Sequence, residues 1–337
     1  MQAYLIRRFL LMIPTLLGIS FVCFLLIQLI PGGPVEQKIA QLQMLAGETG
    51  GADASKVLSA DEIANIKAHY GFDKPFWEQY FSWLGNVLQL DFGDSYSYDK
   101  PVWDVVSSKF PISLFFGLTS FILSYLICIP LGVFKAIKNG HWSDTFSTVL
   151  IFAGYVIPGY ALGILLLVLF SGGSFLDLFP LGGIVSDDFE EFTLWGKCLD
   201  FLHHMCLPMF CFMLGEFAFL TMLMKNSLLE ETQKDYIRTA MAQGASYPQA
   251  IWKHGLRNAL LPLATRSSEI FTLMFTGSLL IERVFDIDGM GLLMYNSMVS
   301  RDYNIVLGLI VMMSVLGLLG RLFADILYVV IDPRVKL

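Results

Sequence analysis

Six long apolar stretches, separated by polar segments, constrain what this chain can fold into more than any other feature. The first covers positions 9–30 and has no charged residue in 22 positions, while about 20 helical residues suffice to cross a hydrocarbon core. Inside that core every backbone N–H and C=O must find a partner within the protein, so the stretches are expected to be helices. We therefore expect an all-α integral membrane protein with six transmembrane helices, over 9–30, 112–134, 146–170, 206–224, 263–281 and 305–331.

The composition agrees with a membrane protein. Hydrophobic residues make up 55% of the 337 positions and charged residues 15%, whereas soluble domains average about 25% charged residues. The third stretch is the one expected to bend, because it contains Gly154, Pro158 and Gly159 and proline cannot donate a helical hydrogen bond.

Positively charged residues indicate how the helices are oriented. Arg7 and Arg8 precede the first stretch, which is too long for a signal peptide and has no A-x-A cleavage site directly after it. With the N-terminus in the cytoplasm, the inner segments hold eleven Lys and Arg, and the two short outer loops, 171–205 and 282–303, hold three. Cytoplasmic loops carry such an excess, so we predict that both termini and the polar segment 225–262 are cytoplasmic.

The long polar segment after the first helix is expected to form a small helical domain outside the membrane. Positions 35–109 contain 11 acids and 6 lysines. Ser59 and Glu62 have the spacing of a capping box that opens one helix, a second begins at Pro75, and 37–58 show no periodicity. The second helix carries a stripe expected to be core: Phe76, Tyr80, Trp83, Leu84 and Val87. The chain thus divides into a first transmembrane helix with its N-terminal residues (1–30), an outer domain (31–110) and a five-helix core (111–337).

The segment 225–262 carries the most detailed local pattern in the sequence. Positions 226–243 contain neither proline nor glycine and predict a helix, which Gly244 can end because glycine tolerates the left-handed conformation. Ser246 and Gln249 have the spacing of a second capping box, which opens a short helix. Four residues share one face of that helix: Tyr247, Ala250, Ile251 and His254.

A short amphipathic helix that Gly255 can end has two interpretations. Its apolar face either packs on the chain's own helices or enters a groove of another protein. The residue pattern alone leaves both open.

Ionisable side chains within apolar stretches are costly in a bilayer and usually face an aqueous path. Glu216 lies near the middle of the fourth stretch, and Glu269 lies in the fifth. Glu269 shares a polar helix face with three threonines: Thr265, Thr272 and Thr276. This face either lines a pathway for a polar substrate or joins helices, and Glu269 could instead pair with Arg266. Arg321 and Asp325 are expected to form an i, i+4 pair near the inner end of the last stretch.

The remaining features exclude several function classes. A formal net charge of −7 argues against a nucleic-acid partner. The sequence contains no nucleotide-binding loop, H-E-x-x-H or G-x-S-x-G motif, so no catalytic, metal or cofactor site is expected in this chain. The five cysteines form no C-x-x-C pair. Cys198 and Cys206 lie near the expected outer face, and a disulfide between them stays open.

The stretch 235–262 resembles the EAA loop of ABC-importer permeases. The family pattern E-A-A-x-x-x-G falls here on Arg238, Thr239, Ala240 and Gly244, so that Arg238 stands in the place of the glutamate.

Further motifs resemble one branch of that family, the B-type permease subunits of dipeptide and oligopeptide importers. His254 and Leu256 occupy the places of a later Ile and Leu, and Arg257 occupies that of a Pro. The other motifs are YLIRR and PGGPV around the first helix, DKPFWEQYFSWLGNVLQLDFGDS before the second, RDYNIVLG before the sixth and DPR near the end. The PGGPV junction and the residues up to about position 58 are similar to permeases associated with import of peptides and of the peptide antibiotic microcin C.

This resemblance implies a type I ABC-importer permease fold in a bacterial inner membrane. It also implies four partners: a second, paralogous permease, an ABC ATPase that binds ATP and Mg, a periplasmic peptide-binding protein and the peptide itself. The chain would then couple to ATP hydrolysis without being an enzyme. Two rival functions are a secondary transporter, which favours an inverted repeat that the sequence does not show, and a membrane receptor or scaffold.

The resemblance assigns residues to a docking site, and the ionisable and polar residues within the apolar stretches indicate a translocation path. The ATPase-docking site would comprise Arg238, Thr239, Ala240, Gly244, Ser246, Tyr247, Ala250, Ile251, His254 and Arg257. The translocation path is expected to include Glu216, Thr265, Glu269, Thr272 and Thr276.

Overall fold

The computed structural model describes residues 2–29, 74–172 and 175–331, and within these ranges the chain is all-α. Two isolated bridges, Asp94 with Pro101 and Ser171 with Phe179, are the β-type pairings there. The helices are α1 (Gln2–Leu29), α2 (Phe76–Leu88), α3 (Val102–Ile137), α4 (Trp142–Val156), α5 (Gly159–Phe170), α6 (Leu194–Thr232), α7 (Asp235–Ala242), α8 (Tyr247–Ala250), α9 (Leu256–Ala259), α10 (Leu261–Arg266), α11 (Glu269–Thr276), α12 (Leu279–Val284), α13 (Met290–Val299) and α14 (Tyr303–Ile331). A 3-10 turn covers Phe189–Glu191, and a π-helical turn, Ile251–Gly255, joins α8 to α9.

Among the described residues, four continuous helices are long and apolar enough to cross a membrane: the part of α1 over Ile6–Leu26, and α3, α6 and α14. α4 and α5 together form a fifth candidate, bent by 94°. The bend lies at Ile157, whose backbone is extended, and Pro158, because a residue before proline disfavours the helical conformation. The predicted bend at Pro158 and Gly159 is therefore confirmed.

The apolar stretch 263–281 is divided into three short helices, α10, α11 and α12, where the sequence predicted one. The second division lies at Gly277, with φ 61° and ψ −160°, a conformation open essentially to glycine. A Cβ there would lie 2.0 Å from Oε1 of Glu282.

That carboxylate explains the local backbone path. Glu282 is 4% exposed and accepts hydrogen bonds from the backbone N–H groups of Ser278 (2.9 Å), Gly291 (3.3 Å) and Leu292 (2.7 Å). A Cβ at Gly289 or at Gly291 would also approach this carboxylate closely. The chain therefore wraps around one buried acid, and the apolar pattern could not reveal this.

Two compact units divide the described residues. The first unit draws on Met1–Arg8, Phe110–Leu292 and Leu316–Leu337. Its apolar cores include one around Phe116, Met205 and Phe285 and another around Val133, Met224 and Leu228. An ion pair in this unit corrects one expectation: Asp325 binds Arg8 (3.2 Å) and accepts a hydrogen bond from Tyr4, and the expected pair with Arg321 is not formed.

The second unit comprises the described residues of Phe9–Lys109 and Leu293–Val315. The aromatic stripe of α2 is a core, as expected, but α2 packs on the transmembrane helix α1. Phe24 of α1, Tyr80 of α2 and Leu307 of α14 form its centre. Positions 37–58, the capping box of Ser59 and Glu62, and the DPR motif lie outside the described residues.

Two sequence motifs, the DFGDS loop before α3 and RDYNIVLG at the start of α14, meet in the second unit. Asp302, which is fully buried, accepts hydrogen bonds from Ser95 Oγ (2.5 Å) and the Ser97 N–H (3.0 Å). Its other oxygen accepts from Ile305 N–H at the start of α14. The carboxylate therefore fixes the DFGDS loop to the first turn of the last helix.

Candidate functional site: a polar helical turn and a charged cavity

The turn between α7 and α8 follows the predicted pattern. Gly244 has φ +98°, and the Ala245 N–H donates to the Ala240 carbonyl over 3.1 Å, which closes the end of α7. The Ser246 N–H then donates to Gln249 Oε1 over 3.1 Å, as a capping box requires. Both the predicted helix stop and the predicted helix start are confirmed.

Two helix boundaries differ from the expectation. The helix predicted over 226–243 is two helices, because α6 ends at Thr232 and α7 begins at Asp235. Gly255 does not end a helix: its backbone is helical, and the chain continues through the π-helical turn into α9. A Cβ at Gly255 would lie 3.3 Å from Leu228, so this glycine allows close packing on α6.

The residues predicted to share one face of the short helix separate into two groups. Ala250 and Ile251 are fully buried, Ala250 with Ile237 and Ala240, and Ile251 in the core around Leu228. Tyr247 and His254 are exposed. The packing interpretation thus holds for the inner half of the face, and a partner could contact the outer half.

Ala240 is also buried, so three of the ten proposed docking residues support the turn from within. Six others are exposed: Arg238, Thr239, Gly244, Ser246, Tyr247 and His254. Arg257 is exposed, but its Nε donates to the Ile331 carbonyl (2.6 Å). Two large side chains of the same segment that the sequence pattern did not single out are also exposed, Met241 by 36% and Trp252 by 49%.

A hydrogen-bond network beneath the turn holds it to α6. Buried Glu231 accepts hydrogen bonds from Lys234 Nζ (2.5 Å) and from the Tyr236 hydroxyl. Asn258 of α9 donates to the same hydroxyl (3.1 Å). Burial and the bond to Glu231 raise the pKa of Tyr236 to about 12. The network therefore joins the end of α6 to α7 and α9, and nothing in the local pattern signalled it.

A second anchor fixes the start of α4 between α3 and α6. Lys135, fully buried, and Lys225 both bind Asp144, with Nζ–carboxylate distances of 3.0 and 2.7 Å. Lys135 Nζ also donates to Ser147 and Thr148. The sequence placed both lysines in inner loops but did not predict that they converge on one carboxylate.

A charged cavity lies between α3, α6, α10 and α11. Arg266 forms ion pairs with Glu269 and, at 3.5 Å, with Glu216. Its guanidinium lies 4.7 Å from the centre of the Phe219 ring, and its buried Nε has no hydrogen-bond partner among the described residues. The other lining includes polar Ser120, Ser124 and Tyr125, and apolar Phe121, Phe212, Met213, Leu220, Ile270 and Leu273.

Two of the five proposed path residues, Glu216 and Glu269, line this cavity. Thr265 is exposed and donates to the Leu261 carbonyl of its own helix. Thr272 lies beside Gly317 of α14, and the side chain of Thr276 lies outside the described atoms. The expected pair of Glu269 with Arg266 is present, so Glu269 both pairs and faces the cavity.

Cys198 and Cys206 are free thiols, both exposed. They lie eight residues apart on α6, which is about 12 Å along a helix, whereas a disulfide needs Cα atoms within about 7 Å. This geometry excludes a disulfide between them.

Comparisons with known proteins cover both parts of the chain. Residues 128–337 match the family described as "Binding-protein-dependent transport system inner membrane component", and residues 1–117 match the corresponding N-terminal family. The chain is 41% identical to "Peptidoglycan transport system permease protein YejB" of Agrobacterium fabrum, over 99% of this chain and 98% of that one. It is 42% identical to "Inner membrane ABC transporter permease protein YejB" of Escherichia coli O157:H7, over 99% of each. It is 35% identical to "Oligopeptide transport system permease protein AppB" of Bacillus subtilis, over the full length of both.

Proposed function

The chain belongs to the family of binding-protein-dependent inner membrane transport components, and from this premise we propose that it is one permease subunit of an ATP-driven peptide importer. It is a multi-pass inner membrane protein and a transport subunit rather than an enzyme. The family assignment argues against a secondary transporter and against a receptor. The full-length match to an oligopeptide permease supports peptides as cargo.

The observation that carries the coupling role is the exposed turn of α7, α8 and the π-helical turn. Its outward residues include Met241, Tyr247 and Trp252, whose large side chains have no partner within the described chain that would bury them. Tyr and Trp are the residue types that dominate binding energy at protein interfaces. The turn would contact a cytoplasmic ATPase, which supplies ATP and Mg, and Ala240, Ala250 and Ile251 would hold the turn in position from within.

α6 is suited to transmit movement of the turn into the membrane. It has 39 residues and so spans about 58 Å. Glu231 near its end belongs to the network beneath the turn, Lys225 to the anchor on Asp144, and Glu216 to the cavity. A tilt imposed at the turn would therefore reach the cavity through one continuous helix.

The cavity would form part of the peptide path. Two carboxylates and one guanidinium give it a net charge of −1 when all are ionised, and a peptide amino terminus or basic side chain would compete with Arg266 for Glu269. A second permease, with an equivalent surface, would complete the path.

The cargo and the orientation extend this proposal. Since one relative is named for peptidoglycan transport and another for oligopeptides, the cargo class would include modified peptides, among them compounds such as microcin C. The excess of Lys and Arg in the inner segments supports cytoplasmic N- and C-termini, with a periplasmic peptide-binding protein delivering the cargo on the other side.

Uptake by the reconstituted complex tests the function. The purified permeases, ATPase and peptide-binding protein in vesicles should accumulate a labelled oligopeptide when ATP is supplied, and none without ATP. Uptake driven by an ion gradient in the absence of the ATPase would refute the proposal.

A matched pair of variants tests the coupling surface. Trp252→Glu should release the ATPase on purification, since loss of a central aromatic contact costs about 2 kcal/mol or more. Trp195→Glu, at the opposite end of α6, should retain the ATPase. Retention in both variants would place the docking surface elsewhere.

A further inference from the structure

α2 has two adjacent apolar faces, of which the protein covers one. The first face packs within the second unit and contains Tyr80 and Val87, which are 5% and 9% exposed. The second face follows an i, i+4, i+11 spacing and remains exposed: Trp77 is 58% exposed, Phe81 63% and Leu88 78%. The remaining side of the helix is polar, with Glu78, Gln79, Ser82 and Asn86.

The covered face fixes where α2 lies along the transmembrane helix α1. The Tyr80 hydroxyl is 3.0 Å from Ser20 Oγ and 3.3 Å from the Leu17 carbonyl. The Phe24 ring lies 5.4 Å from the Trp83 ring. The partly exposed Trp77 ring stacks on Phe21, with centroids 5.6 Å apart and planes 11° from parallel. α2 therefore crosses α1 at the level of residues 20–24.

This level lies inside the thickness of a bilayer. At 1.5 Å per residue, Ser20 and Phe24 are about 17 and 22 Å from Phe9, where the apolar stretch 9–30 begins, and a hydrocarbon core is about 30 Å thick. Phe24 thus lies about 8 Å below the far surface, and Ser20 lies about 13 Å below it. Amphipathic helices in the plane of a membrane bury their apolar faces to about 5–10 Å.

The transmembrane helix α1 also exposes apolar side chains near this level. On α1, Val22 and Leu26 are 51% and 55% exposed at the same level, in a helix whose length and composition suit a membrane span. We propose that α2 is an in-plane membrane helix, with Trp77, Phe81 and Leu88 inserted in the leaflet at the C-terminal end of α1 and the polar side turned to water. The occupant of this face is thus the lipid bilayer.

Spin labels on neighbouring positions of α2 test the proposal in the assembled complex. Phe81→Cys and the matched control Ser82→Cys are made in a chain whose five native cysteines are replaced, and both are placed in lipid nanodiscs. The label at 81 should collide more often with molecular oxygen, which partitions into lipid, than with a water-soluble nickel chelate. The label at 82 should show the opposite preference.

Three results would overturn the proposal. A label at 81 that the nickel chelate reaches freely would place this face in water. A label at 81 shielded from both reagents would show that protein covers it, whether a partner subunit or another segment of this chain. Equal preference for oxygen at 81 and 82 would show that α2 lies fully within the hydrocarbon.

Discussion

The segment from α7 through α9 and the segment from α10 through α12 follow each other in the chain, yet different forces determine their shapes. The first turns at Gly244 and restarts at Ser246 with Gln249, so the residues that end α7 and start α8 lie within a few positions of one another. The second changes direction at Gly277 because the carboxylate of Glu282 occupies the space beside it. Backbone groups as distant as Leu292 hold that carboxylate. Short-range capping is visible in a sequence, whereas a buried acid that gathers distant N–H groups is not.

The largest effect is expected at Gly277. Gly277→Val would place a β-branched side chain at a backbone conformation that glycine alone tolerates, and its Cβ would lie 2.0 Å from Glu282 Oε1. Backbone strain and the displaced carboxylate together should cost at least about 3 kcal/mol. We expect loss of the folded protein from detergent extracts, or a strongly lowered apparent Tm.

Gly215→Ala is the control for that variant. Gly215 lies within α6, and a Cβ there meets nothing within 4 Å, so this change should leave the apparent Tm unchanged or slightly raised. An equally stable Gly277→Val protein would mean that Glu282 does not determine the path of α10 to α12.

The next largest effect is expected at Gly244. Gly244→Val forces a β-branched residue to φ +98°, which costs about 1–3 kcal/mol, but a Cβ meets no atom within 4 Å. The strain should therefore misplace α8 without disturbing the core. We expect normal membrane insertion and loss of the ATPase during purification of the complex.

Gly140→Val imposes a comparable strain away from the proposed docking surface. Gly140 has φ +77°, and a Cβ there also meets nothing within 4 Å. The ATPase should stay bound to this variant. If both valine variants lose the ATPase equally, general strain rather than the shape of the turn is responsible.

Helical periodicity predicted some of the residues that line the charged cavity but not how they are arranged. The pattern correctly marked Glu216 and Glu269 as unusual for an apolar stretch, and both face one cavity. It placed Thr265 and Thr272 on the same surface because it treated 263–281 as one helix. Between α10 and α11 the backbone of Ser267 and Ser268 stays in the right-handed helical region, but the N–H groups of Ser268 and Ile270 donate to carbonyls three residues earlier instead of four. Only a three-dimensional arrangement could bring Arg266 between two acids from different helices.

A moderate effect is expected from Glu269→Gln. The change keeps size and polarity but takes the cavity from a net charge of −1 to neutral, with Arg266 still paired to Glu216. Uptake of basic peptides by vesicles should fall by roughly fivefold, the effect of about 1 kcal/mol, and uptake of neutral peptides should change less. ATPase binding should persist.

Thr265→Val serves as the comparison for Glu269→Gln, because Thr265 bonds to its own helix and does not line the cavity. It should transport both peptide classes normally. If the Glu269→Gln variant lost uptake of basic and neutral peptides equally, the ion pair of Glu269 with Arg266 would have only a structural role.

The second unit repeats the contrast between local and distant determinants. The aromatic stripe of α2 was readable as a buried face, because its members recur at helical spacing. The sequence did not predict which element covers this stripe. The stripe packs on Phe21 and Phe24 of α1, which lie about fifty residues earlier. Likewise, the DFGDS and RDYN motifs were each visible, but their junction through Asp302 depends on residues about two hundred positions apart. Periodicity identifies the face of an element, and only tertiary structure identifies what covers it.

The smallest effect is expected from Gln249→Ala, which removes the acceptor for the Ser246 N–H. Loss of such a cap typically costs about 0.5–1 kcal/mol, so amide hydrogen exchange at the start of α8 should accelerate by about two- to fivefold while the ATPase stays bound. Gln243→Ala, a neighbouring exposed glutamine in the same turn, should leave that exchange unchanged. If Gln249→Ala instead dislodged the ATPase as fully as Gly244→Val, the cap would contribute far more than its hydrogen bond. The contrast with Gly277 would then fail, because the capping bond of Gln249, which the sequence predicts, would no longer be weaker than the interactions of Glu282, which the sequence does not predict.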